Sequence, residues 1–231
     1  MAETIQGSHR MSRRLDLSDQ RDWIEREWFR LLVHLGALTP FLVLAWKYWR
    51  GKFLVDPVRE MMTSTGQIAL ILLMLTLAVT PINTLLGFKR VVRVRRALGL
   101  YTFAYAVLHL FVFVGLDYAF AWGLIVEDIF GQLRTVVGAA AWLTLLPLAV
   151  TSTNGWMKRL GKRWKRLHRL VYATGVLAVV HFLWSVKDGR EPFIYGGVLA
   201  FLFVVRIPAI RKVIKRFRRR QKARMQPAGM N

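Results

Sequence analysis

Ile68 to Leu86 reads IALILLMLTLAVTPINTLL, nineteen residues without a charge. At about 1.5 Å of rise per residue, a helix of that length crosses the roughly 30 Å of hydrocarbon in a bilayer. Backbone in hydrocarbon has no water to bond, so it must satisfy its own N–H and C=O groups, as a helix does. Five more apolar runs share this character: Leu31 to Trp49, Ala97 to Ala121, Leu133 to Val150, Leu170 to Val186 and Phe193 to Val205, the last short enough to need its flanks. The sequence therefore predicts an all-α polytopic membrane protein, a bundle of six transmembrane helices. Pro40, Pro81 and Pro147 are placed to kink or end spans. Trp46, Trp49, Trp122, Trp156, Trp164 and Trp184 fall near the predicted interfaces as aromatic anchors.

Thirty-five Lys and Arg against thirteen Asp and Glu give a net charge of +22, which in a soluble protein would point to nucleic acid. Position decides otherwise. Twenty-eight of the basic residues fall in the segment up to and including Arg30, from Lys89 to Arg96, from Lys158 to Arg169, and from Arg206 onward, all on one side of a six-span topology. The other seven share the alternate loops with Asp56, Glu60, Asp117, Glu127, Asp128, Asp188 and Glu191. By the positive-inside rule both termini are cytoplasmic. The basic run from Arg211 to Arg224 reads as a topology anchor meeting anionic lipid rather than nucleic acid. No apolar h-region precedes the first span, so no cleavable signal peptide is expected.

The organisation is then a cytoplasmic segment over 1–30, a transmembrane domain over 31–210 and a basic tail over 211–231. Asp16 to Trp28 has the apolar spacing of an amphipathic surface helix. No soluble domain or internal repeat of convincing length interrupts the pattern. With no cysteine, a disulfide or thiolate-held metal is excluded, so a redox cofactor must be held by histidine or non-covalently.

Four of five histidines, His34, His109, His168 and His181, lie in or beside spans, where ionisable groups are costly and mark function. His9 sits in the polar N-terminal segment and receives no role. No acidic residue is expected to be buried with the histidines in a span, which disfavours a proton relay or a divalent-cation transporter. Neutral imidazoles facing each other across a bundle suit haem iron with two axial nitrogens. Counted from the cytoplasmic side, His109 lies about 18 Å deep, His181 about 25 Å and His168 about 6 Å. Depth thus pairs His109 with His181 toward the periplasm and leaves His168 near the cytoplasm. Thirteen residues turn a helix about 220° past whole turns, so His168 and His181 share a face only if the helix bends. Arg95, fourteen residues before His109, falls on its stripe and is suited to a haem propionate, a flavin phosphate or a lipid phosphate.

These residues fall within a recognisable order. His34-Leu-Gly-Ala-Leu-Thr-Pro40, Asp56-Pro-Val, Thr65-Gly66, Thr80-Pro81 and Arg93 to Gly99 before His109 come first. Thr151-Ser-Thr, Leu160-Gly-Lys-Arg-Trp-Lys-Arg-Leu-His168 and His181-Phe-Leu-Trp-Ser-Val-Lys187 follow. Over about residues 28 to 210 the chain resembles the MsrQ family, formerly YedZ, within the ferric-reductase-like transmembrane superfamily. Its members are haem-binding membrane subunits of periplasmic protein-methionine-sulfoxide reductase systems. The resemblance implies b-type haem on His109, His168 and His181, an associated FMN, and a bacterial inner-membrane location. It also implies electrons drawn from the quinone pool and delivered to a periplasmic molybdopterin-containing reductase, MsrP. The chain departs from the superfamily pattern of two histidines on each of two spans, since its third span supplies only His109. His34 fits the start of the family pattern, and its position suits a helix-packing role. The leading expectation is an electron-transfer subunit; the rivals are a ferric or other metal reductase and a histidine-lined transporter.

Overall fold

A computed structural model describes residues 27–53, 56–186 and 189–225. The expected surface helix over Asp16 to Trp28 lies almost wholly outside these residues, as does His9. All regular structure described is helical: α1 (Glu27–Trp49), α2 (Pro57–Leu86), α3 (Arg90–Phe111), α4 (Trp122–Gly131), α5 (Leu133–Val150), α6 (Asn154–Leu160), α7 (Lys162–Leu167), α8 (Leu170–Ser185), α9 (Glu191–Val204) and α10 (Pro208–Met225). A π-helical segment, Val112–Asp117, extends α3. Five helices or joined helix runs are long and apolar enough to cross a membrane, and the pair α9 and α10, bent by 73°, makes a sixth candidate. The chain is an all-α polytopic membrane protein, as its apolar runs predict.

The second span is longer than its uncharged run. Asp56 accepts the Arg59 N–H at 3.0 Å as N-cap, Pro57 stands in the first turn, and the helix starts eleven residues before Ile68. It ends at Gly87, whose φ of 72° favours glycine. These added turns carry Met62, Thr65 and Gly66, which matter at the site below. The third span stops at Asp117 rather than Ala121, because the backbone turns there, with Ala119 and Phe120 both at positive φ. The region from Trp122 becomes the separate helix α4, packed on α5 through Ile125 and Asp128.

Helix α2 is the hub, with Leu77 wholly buried. Its main partner is α3, and α5 pairs in the same way with α8. Leu70, Leu73, Met74 and Leu77 of α2 meet Leu145 and Leu148 of α5, Val171 and Val179 of α8, and Leu199 and Leu202 of α9 in one apolar core. A second core joins Ala37 of α1 to Leu72, Val79, Val91, Val94, Leu98 and Tyr105. The bundle surface is ringed by exposed apolar side chains such as Leu42, Leu86, Leu143 and Phe193, the exterior a helix shows to lipid.

Candidate haem-binding site

His109, on α3, and His181, on α8, come together inside the bundle with ring centroids 6.2 Å apart and planes at 79°. Their depths counted along the spans differ by only about 7 Å, in keeping with this meeting. Each ring is held by the helix across from it. His109 donates from Nδ1 to the Met62 carbonyl at 3.0 Å, with the Thr65 hydroxyl oxygen also 3.3 Å away. His181 donates from Nδ1 to the Arg134 carbonyl at 2.7 Å. Because a carbonyl only accepts, the proton of both imidazoles is fixed on Nδ1 and the lone pair on Nε2, a common arrangement for metal-bound histidine. Neither Nε2 makes a hydrogen bond among the described residues.

The rings lie directly on helix backbone. A Cβ on Gly66 would come 3.0 Å from His109 Cε1, and one on Gly138 would come 2.7 Å from His181 Nδ1. Nothing in the sequence marks a carbonyl as an acceptor, so Met62 and Arg134 escape a reading based on side chains. Gly138 escapes it as one small residue among several.

His168 lies apart from this pair. It ends α7, and the helix breaks at His168 and Arg169 before α8 begins, so it need not share the face of His181. Its ring stacks on Trp164 at 3.9 Å. The Thr151 hydroxyl donates to the Pro147 carbonyl at 2.6 Å, which leaves its oxygen to accept from His168 Nε2 at 3.2 Å. Trp164 is thus more than an interface anchor: its indole N–H donates to the Thr151 carbonyl at 2.9 Å. His168, Trp164, Arg95 and Arg96 line a cavity of about 230 Å³ whose walls include Thr76, Thr102 and Leu145. His109 and His181 do not line it. Arg95 therefore keeps company with His168 rather than with the facing pair. His34 bonds the Tyr101 hydroxyl at 2.8 Å, pinning α1 to α3.

The donor set is narrow: among the described residues no three His, Asp or Glu side chains converge on a point. Two spans present neighbouring imidazoles inside a helical membrane bundle, and the family model described as ferric reductase like transmembrane component matches residues 65–179. Relatives named protein-methionine-sulfoxide reductase heme-binding subunit MsrQ extend the match. The one from Xanthomonas axonopodis pv. citri is 48% identical over 185 residues, covering 77% of this chain and 85% of its own. Its counterpart in Xanthomonas campestris pv. campestris strain B100 is 47% identical over 182 residues, with 76% and 84% covered. That of Caulobacter vibrioides is 42% identical over 178 residues, with 76% and 85% covered. The chain belongs to the MsrQ family. No solved structure matches it.

Proposed function

We propose that this chain is a membrane electron-transfer subunit that holds b-type haem between His109 and His181 and serves a periplasmic methionine-sulfoxide reductase. The facing pair carries the reading. A haem iron here would be held by the two imidazoles, each of which would have to offer a nitrogen lone pair. The two ring centroids lie 6.2 Å apart, and neither Nε2 makes a hydrogen bond among the described residues. A haem iron supplies one-electron chemistry by cycling between ferrous and ferric states. The chain's own part is to fix the two imidazoles, choose their tautomer through Met62 and Arg134, and exclude water with the apolar side chains around them.

Electrons enter, in this reading, at the cytoplasmic end, where Arg95, Arg96 and His168 line the cavity. Guanidinium groups there suit the carbonyl oxygens of a quinone or the phosphate of FMN, and Trp164 and His168 offer a flat aromatic surface. Delivery in this reading is to a molybdopterin-containing reductase of the MsrP kind; the relatives' names support a methionine-sulfoxide reductase system as the setting. The protein purified from membranes is expected to show a Soret band with reducible α and β bands. His109→Ala and His181→Ala are each expected to remove most of the haem while the protein still inserts. Normal haem content in both variants, or a colourless wild type, overturns the assignment.

A further inference from the structure

The two histidine sites are the same local structure written twice. His109 is 47 residues after the carbonyl it bonds, and His181 is 47 residues after its own. Gly66 and Gly138 each stand 43 residues before the ring they touch. The acceptor, the glycine and the histidine of the first site each have a counterpart 72 residues later: Met62 and Arg134, Gly66 and Gly138, His109 and His181. The register continues along the helices. Thr102 and Thr174, both wholly buried, bond the carbonyls of Leu98 and Leu170, also 72 apart. Leu73 and Leu145 meet in the core at the same offset. The hairpins α2–α3 and α5–α8 are therefore a parallel repeat, whose two copies run the same way across the membrane and bring equivalent residues to equal depth. Matches fall every three or four residues on one stripe of each helix, so no contiguous stretch displays them. At the same offset Arg96 answers to His168, so the duplication yields one histidine pair, not two.

From this repeat we infer that Gly66 and Gly138 are positioning residues for the haem ligands: the missing side chains let each imidazole lie against the opposite helix, close enough to bond a carbonyl one turn earlier. The inference rests on the haem assignment to His109 and His181. A Cβ at position 138 would sit 2.7 Å from Nδ1 and 2.8 Å from Cε1 of His181, closer than real contacts allow. At position 66 the distances are 3.0 and 3.1 Å, which a small shift of His109 absorbs. An alanine at either place pushes the ring along its own axis, lengthens the Nδ1–H···O bond and swings Nε2. A ring that cannot reach its carbonyl loses its fixed tautomer and part of its basicity as a ligand.

The test compares full-length holoprotein with Gly66→Ala and Gly138→Ala, using Gly36→Ala and Gly197→Ala as controls because no atom lies within 4 Å of a Cβ at either. Haem occupancy, the low-spin electron paramagnetic resonance signal and the midpoint potential are read. Occupancy is expected to fall several-fold in Gly138→Ala. Gly66→Ala is expected to keep more haem but with a displaced low-spin signal and potential, while the controls match wild type. A folding defect is separated by removing the tether. His181→Gly with added imidazole is compared with Gly138→Ala/His181→Gly treated alike, since free imidazole can move off the new methyl group. Equal recovery of haem in the two supports a positioning role. Recovery in the single variant only makes Gly138 a packing residue and overturns the inference, as does a wild-type signal in both glycine variants. Full haem in His181→Gly without imidazole overturns instead the assignment on which the inference rests.

Discussion

Thr65 breaks the equivalence of the two histidines. Its oxygen is 3.3 Å from His109 Nδ1, whereas the residue at the matching place beside His181 is Val137, which has no oxygen to offer. Thr65 spends its own proton on the Met61 carbonyl at 2.7 Å, so it can only accept from the ring. Thr65→Val is therefore expected to leave haem occupancy intact and to alter the midpoint potential slightly, because the stronger Met62 bond remains; haem loss on the scale of His109→Ala would show the hydroxyl to be the main support. His168 calls for a different outcome. Its Nε2 is engaged by Thr151 and it stands outside the facing pair, so His168→Ala is expected to keep the haem spectrum of that pair while slowing reduction by a quinol several-fold. Unchanged reduction kinetics would make it a packing residue. Residue type and depth were enough to find the histidines and to pair two of them. Their supports were not legible, because hydrogen bonding to a backbone carbonyl leaves no mark on side-chain identity.

Among the elements, apolar runs located the spans well, but the ends moved wherever polar capping or a bend governed them. Capping by Asp56 and Pro57 starts α2 outside its uncharged run. The bend between α9 and α10 stops the sixth apolar run at Val204, leaving fourteen residues, about 21 Å of helix, which is less than the hydrocarbon thickness. Beyond it α10 presents Val213 and Phe217 as exposed apolar residues among many Lys and Arg, the composition of a helix lying at a membrane surface. Arg218 of that helix reaches back to the end of α2, donating from Nη1 to the carbonyls of Asn83 at 3.2 Å and Thr84 at 2.9 Å. A cation there adds to the Gly87 N–H on the Asn83 carbonyl, satisfies the Thr84 carbonyl and meets the negative end of the helix dipole. Arg218→Ala is expected to destabilise the detergent-solubilised protein by about 1 kcal/mol. A thermal unfolding curve checks this, and an unchanged midpoint would mean that water serves those carbonyls equally well. The division at residue 210 falls inside α10, since charge onset in the sequence marks the interface and not the helix boundary.

For the whole molecule, the distribution of charge fixes direction. The basic segments around α3, α7 and α10 gather at the end that holds the cavity, and Asp56, Glu60, Asp117, Glu127 and Glu191 belong to the other. Not all of the expected acidic surface is available for docking. Asp128 is buried, accepting from the Thr135 hydroxyl at 2.8 Å and from the Gln132 amide, beside the Arg134 carbonyl that holds His181. Glu60 pairs with Lys47 at 2.9 Å. Asp56, Asp117, Glu127 and Glu191 remain exposed, and exposed charges of this kind guide encounter with a soluble partner more than they add affinity. Their reach is about 10 Å at 0.1 M salt and about 3 Å at 1 M. Reduced protein is therefore expected to be reoxidised by the periplasmic reductase when methionine sulfoxide is present, at a rate that falls as salt rises and falls further in Asp117→Asn/Glu127→Gln. Stopped-flow absorbance of the haem measures it. The charge-neutral variant should lose most of the salt dependence while its haem spectrum stays that of wild type. Rapid reoxidation by ferric chelates with none by the reductase would instead make this chain a metal reductase, and a rate insensitive to salt would place docking on the apolar residues around α4.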